Sequence, residues 1–133
     1  MNQQTQTTDA MQQCIDACEE CHRICLQTAM TQCLETGGRH VEAKHFRLMM
    51  NCAEICQTSA NFMLSRSEFL QVCSVCAEIC EACAESCEKI GDMDACAKTC
   101  RQCAESCRRM AGRGQVRSGQ TTMEQARPPS EEL

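Results

Sequence analysis

Sixteen of the 133 residues are cysteine, and their spacing is the first feature that could do chemistry. Cys14, Cys18, Cys21 and Cys25 form the pattern CxxxCxxCxxxC. Cys76, Cys80, Cys83 and Cys87 repeat it, with Cys73 one step earlier, and Cys96, Cys100, Cys103 and Cys107 repeat it again. Cys52 and Cys56 begin a fourth copy, which continues with Ser59 and Met63 in place of two cysteines. Cys33 stands apart, further along from the first ladder. The motif CAEIC occurs at 52–56 and 76–80, and CAESC at 83–87 and 103–107, so the chain carries an internal repeat.

Thiolate is a soft ligand that selects Cu(I), Zn or iron–sulfur clusters. A disulfide framework explains the ladder poorly. Cysteines four apart on a helix have Cβ atoms about 5–6 Å apart, whereas a disulfide wants about 3.8 Å. Cysteine as a small hydrophobe explains one or two buried thiols, but a core needing only bulk would use Leu. Charge helps to choose among metals. Sixteen buried thiolates paired with four Zn(Cys)₄ ions keep a net charge of about −8, which is costly in a low-dielectric interior. A singly charged soft ion at about one per thiolate leaves roughly none, and Cu(I) fits that condition. Iron–sulfur motifs usually place their cysteines on loops around a discrete cluster, unlike a helical ladder. A Zn or general soft-metal thiolate buffer stays open as the alternative, as does a thiol-redox or interaction module.

The elements that must position these thiols are helices. Four segments rich in Ala, Glu, Gln, Lys, Arg and Met are expected to be helical, at about 8–36, 40–64, 66–90 and 93–112. Asp9, Ser65 and Asp92 are the expected caps, and Gly37-Gly38 and Gly91 the stops. At about 100° per residue, CxxxCxxCxxxC spans a stripe about 60° wide. Its four-three step is also the seam of a helical bundle. With short links, the expected fold is all-α, an antiparallel up-down-up-down four-helix bundle with a Cys-lined core. The expected organisation is a flexible N-terminus over 1–8, the bundle over 9–111 and a disordered tail over 112–133, where both prolines lie.

Composition limits the rest. Without Trp or Tyr, the chain is poor in the large apolar side chains that normally drive folding. A net charge of −5 argues against nucleic acid as a partner. No segment approaches the ~18 apolar residues of a membrane span. The N-terminal MNQQTQTTDAMQQ has no basic region, apolar run or twin Arg, so a cytoplasmic location is expected, where thiols stay reduced. No nucleophile–base pair, phosphate-cradling Gly loop or HExxH is present, so an enzyme is not expected.

With its repeated CxxxCxxCxxxC, cysteines on all four helical segments and no export signal, the chain resembles the four-helix-bundle copper storage proteins, in particular their cytosolic type, over about 9–111. The resemblance implies many Cu(I) ions held inside each bundle by Cys pairs and clusters. It also implies a homotetramer of bundles and a reservoir role rather than catalysis. The antiparallel order gives two mouths. Met11, Met63, Met110 and Phe69 belong to one, with Phe69 and Phe62 as an apolar plug. Cys33, His40, His45, Met49, Cys87 and Met93 belong to the other, which is expected to be the copper entrance. His45, Met49 and Met93 continue the ladders backwards as neutral ligands, so they join the sixteen cysteines as expected metal ligands. His22 and His40 are expected on the surface. Ile15, Ile24, Ile55, Val72 and Val75 flank the stripes, as core or as a bundle–bundle surface.

Overall fold

A computed structural model of the protein describes the backbone of residues 9–121 and the side chains of 9–112. The expected flexible stretch 1–8 lies outside the described residues, as does 122–133 of the tail expected over 112–133. The chain is all-helical over the described residues. Helix α1 (Asp9–Thr28) runs through a π-helical turn (Ala29–Cys33) into a short α2 (Leu34–Thr36). A 3₁₀ turn (Gly38–Val41) leads to α3 (Ala43–Leu64), then α4 (Leu70–Ile90) and α5 (Asp94–Thr121).

Helix α1 packs on α3 and α5, and α4 packs on α3 and α5. The four long rods therefore form a closed ring in which sequence neighbours are spatial neighbours. Side-chain contacts fix the directions. Cys14 near the start of α1 meets Cys107 late in α5, and Cys25 meets Cys96. Likewise Glu88 pairs with Arg101 and Glu81 with Arg108 across α4 and α5. Neighbours are antiparallel, as the short links required. These ion pairs are solvent-exposed, so they set register more than stability.

The core is built from short side chains. Every cysteine is buried, and a second stripe of Ala53, Ala60, Ala77, Ala84, Ala97, Ala104 and Ala111 is buried beside it. Alanine lets helix backbones approach closely, which is what allows thiols of modest reach to meet across the axis. The signal was present in the chain. The dipeptide Cys-Ala occurs five times, each time placing Ala one position past a ladder cysteine. The larger apolar side chains buried with them are Ile15, Met49, Met63, Met93 and Met110.

Several element ends differ from expectation. Ser65 closes α3 instead of capping α4: its N–H donates to the Asn61 carbonyl and its hydroxyl to that of Phe62. Arg66 then takes a positive φ of 60°, which breaks the helical path, so α4 resumes only after Phe69. Asp92 is not the cap of α5. It adopts the left-handed region at φ 59°, which Asp tolerates, and the Met93 carbonyl accepts the Ala97 N–H as the last helix begins. Gly37 and Gly91 end their helices as expected, at φ 71° and 91°, where an L side chain would be strained. Helix α5 passes Gly112, its expected end, and continues to Thr121. Glycine weakens a helix by about 1 kcal/mol relative to Ala without forbidding it, and no proline interrupts before Pro128.

The π turn has a structural consequence. On a straight α-helix Cys33 falls about 100° from Cys14, well off the stripe. An i→i+5 turn absorbs about one extra residue, and so about 100°. Ala29 and Cys33 consequently face inward and are fully buried, which extends the thiol column to the end of the bundle.

Candidate metal centre

Helical spacing makes each ladder a stripe, and the ring of four rods turns the stripes toward one axis. Three groups of four thiols result: Cys18, Cys76, Cys103 and Cys107; Cys21, Cys56, Cys80 and Cys103; and Cys21, Cys25, Cys52 and Cys100. Cys14, Cys73 and Cys107 form a group of three. Within each group the sulfurs lie within 4.8 Å of one another. The groups share corners. Cys107 joins the first two clusters from one mouth, Cys103 the next, and Cys21 the last. The thiols thus form one connected column instead of separate cages.

Closest approaches are 3.4 Å between Cys56 and Cys80 and 3.5 Å from Cys25 to both Cys96 and Cys100. Helices on opposite corners of the ring also meet: Cys52 lies 3.8 Å from Cys100 and Cys56 3.7 Å from Cys103. A four-coordinate ion with metal–sulfur bonds of about 2.3 Å has sulfur–sulfur edges of about 3.8 Å. The column therefore already stands near ligand spacing, with all sixteen thiols free.

Outside those groups, Met49 organises the other end. Its thioether Sδ is 3.6 Å from Cys83 and Cys87 and 3.8 Å from Cys96. Cys33 Sγ lies 4.0 Å from His45 Nε2, and the opposite nitrogen of that ring meets Ser86 Oγ at 2.7 Å. Met93 is buried at this end. At the first mouth Met63 Sδ is 4.0 Å from Cys73. Ser59 is fully buried in its ladder slot, its hydroxyl donating to the Val72 carbonyl on α4. That bond occupies the position where a thiol would otherwise extend the column.

Two histidines are placed differently from expectation. His40 is 8 % exposed and its Nδ1 is buried without a partner. The 3₁₀ turn after Gly37 folds the chain back across the bundle end and carries the ring inward. His22 is part-buried, with Nδ1 2.8 Å from the Ala53 carbonyl, tying α1 to α3. Phe62 is 38 % exposed and is no plug. It lies with Ile55, Val72 and Val75 along an open apolar groove. Phe69 packs against the core as expected, and so does Ile24.

Electrostatics follow from burial. Cys33 is pushed up from its ordinary 9.0 first by desolvation, then by the nearby Cys96 and Cys83. Within the column the thiols titrate as a connected set. Cys103 is held low by hydrogen bonding to Cys107, while Cys100 is driven up by its contact with Cys21. Burial also lowers His45, with His40 adding to the effect, so its neutral imidazole is favoured. A thiol whose folded-state pKa is raised stabilises the fold fully below its unfolded pKa. That contribution is lost as pH rises through the folded value. For Cys33, whose shift comes first from burial, the copper-free protein should therefore lose that thiol's contribution to thermal stability as pH rises past about 9. Circular dichroism melts between about pH 8 and 10.5 measure this, and a flat melting temperature across that range would contradict it.

The model of the copper storage protein family matches residues 2–112. The chain belongs to the copper storage protein family. Among structures similar to this family member, the Nmul_A1745 protein from Nitrosospira multiformis is 65 % identical, with a TM-score of 0.78, covering 80 % of this chain and 98 % of that one. The Cu(I)-bound copper storage protein BsCsp3 is 40 % identical, with a TM-score of 0.71 and 77 % and 99 % of the two chains covered. Apo-Csp3 from Bacillus subtilis is 41 % identical, with a TM-score of 0.67 and 75 % and 97 % covered. The cysteine-rich protein YhjQ of Bacillus subtilis is 42 % identical over 65 residues, 48 % of this copper storage protein; the match spans 59 % of that relative's length. Family and fold agree with the expectation drawn from the ladders. Among the described residues no helix is long and apolar enough to cross a membrane.

Proposed function

We propose that this protein is a reservoir for Cu(I), holding many ions per chain through the thiolates of its core. One observation carries the reading: sixteen buried free thiols form clusters that share corners, so that one sulfur can bridge two ions. Soft monovalent copper accepts such sharing and neutralises the thiolate charge as it enters. Each ion displaces thiol protons, so loading is proton-coupled and weakens as pH falls. The sixteen cysteines are the ligands, and His45, Met49 and Met93 supply weaker neutral donors at the entrance mouth. That mouth gathers Cys33, Cys83, Cys87 and Cys96 around Met49 and His45. The family membership and the Cu(I)-bound BsCsp3 relative support a storage role without catalysis. We further place the reservoir in the cytoplasm, as a homotetramer, with copper ions as its cargo and neither nucleic acid nor membrane as a partner.

The test is anaerobic titration of the reduced protein with Cu(I) against a competing chelator, repeated with Zn(II). Uptake on the order of one Cu(I) per thiol is expected, with Cu(I) displacing Zn(II). Saturation at only a few ions, with Zn preferred, would assign the chain to zinc buffering instead.

A further inference from the structure

His45 stands as a partition. Only 3 % of it is exposed, yet it lines a surface pocket of 270 Å³ between α3 and α4, together with Ser86, Lys44 and Lys89. Its two ring nitrogens face different worlds. Nε2 points inward, 4.0 Å from Cys33 Sγ at the end of the thiol column. Nδ1 meets Ser86 Oγ at 2.7 Å on the pocket side. A ligating imidazole presents a lone pair on one nitrogen, and the hydrogen bond made by the other fixes which nitrogen that is.

We propose that Ser86 is a positioning residue for Cu(I) capture: it accepts the Nδ1–H of His45, turns the Nε2 lone pair toward Cys33, and so makes the ring the hand-over point between the α3–α4 pocket and the column. Copper then enters through the side of the bundle as well as along its axis. The proposal rests on the reservoir reading above. Without Ser86 the ring is free to rotate or to place its proton on Nε2, where N–H faces the arriving cation and offers no lone pair. The sequence alone does not single Ser86 out. It occupies the fourth position of the CAESC motif at 83–87, and the same position of the second copy, at 103–107, is Ser106. Ser106 faces no imidazole; its hydroxyl accepts from Arg109 at 3.4 Å. The repeat thus contains its own control.

The experiment compares Ser86→Ala, Ser86→Thr and Ser106→Ala with the parent protein. Each is checked for helical content, then loaded under nitrogen from Cu(I) bicinchoninate while the chelator's colour reports the rate and end point. Ser86→Ala should load about tenfold more slowly, the lower end of the usual loss for an outer partner of a metal ligand, to an unchanged capacity. Ser86→Thr and Ser106→Ala should load at the parent rate. Nitrogen-15 imidazole shifts of the copper-free parent should show the Nδ1–H tautomer of His45, and Ser86→Ala a mixture. Parent-rate loading by Ser86→Ala, equal slowing by Ser106→Ala, failure of Thr to rescue, or an Nε2–H tautomer in the parent would each overturn the role of Ser86. The parent's capacity in the same assay tests the reservoir separately.

Discussion

Replacing Cys21 and Cys103 together by serine should remove on the order of half the Cu(I) capacity, far more than the two thiols deleted. Cys103 is a corner of two four-thiol groups, Cys21 is a corner of two, and between them they belong to all three. Each substitution keeps the shape of the side chain but exchanges a soft ligand for a hard, poorly coordinating hydroxyl. Where sulfurs are shared, losing one corner lowers the coordination of two neighbouring ions at once. The matched control is Cys33→Ser with Cys87→Ser, since neither residue belongs to those groups. It should cost only about two ions. Each buried hydroxyl also costs about 1–3 kcal/mol if it finds no partner, so helical content and melting temperature are measured alongside capacity. Equal losses in the two double variants would mean that each thiol acts independently, and the idea of a connected column would be abandoned.

Filling the column should raise the melting temperature by tens of degrees, and stripping it with a strong chelator should return it to the copper-free value. The empty bundle has little with which to stabilise itself. Its interior is mostly thiol and alanine, with no buried Phe among the described residues. A ligand that binds only the folded state adds about 4 kcal/mol at a thousandfold excess over its dissociation constant. One such site shifts the midpoint of a domain this small by roughly 15–30 °C. Many ions per chain multiply the effect. The same ions compensate the thiolate charge, so the alkaline loss of stability expected for the copper-free protein should disappear on loading. Identical melts for loaded and empty protein would show that copper sits outside the folded core.

These expectations were readable to very different degrees before the chain folded. The four-three ladders were enough to specify helices, their inward faces and a soft-metal chemistry. The reason is that helical periodicity converts spacing directly into a common face. Short links between ladders then left antiparallel packing as the simple arrangement. The alanine stripe was equally legible in the five Cys-Ala pairs, because position next to a core residue is also a local property.

Other features could not be read locally. Cys33 is off the stripe by spacing, and only the π turn at Ala29–Cys33 brings it to the axis. His40 looked like a solvated helix start until the 3₁₀ turn laid it across the bundle end. Ser65 and Asp92 had the chemistry of caps, but left-handed residues in or beside each loop shifted the helix starts past them. Pairing across the ring was hidden as well. Cys21 and Cys103 are ordinary members of their ladders in sequence, and they become shared corners only when four rods are set at particular heights. The sequence by itself determined which atoms would line the interior, because that depends on angles within one helix. Tertiary structure alone decided which sulfurs meet and which ring closes the mouth, because those depend on the relative slide of helices far apart along the chain.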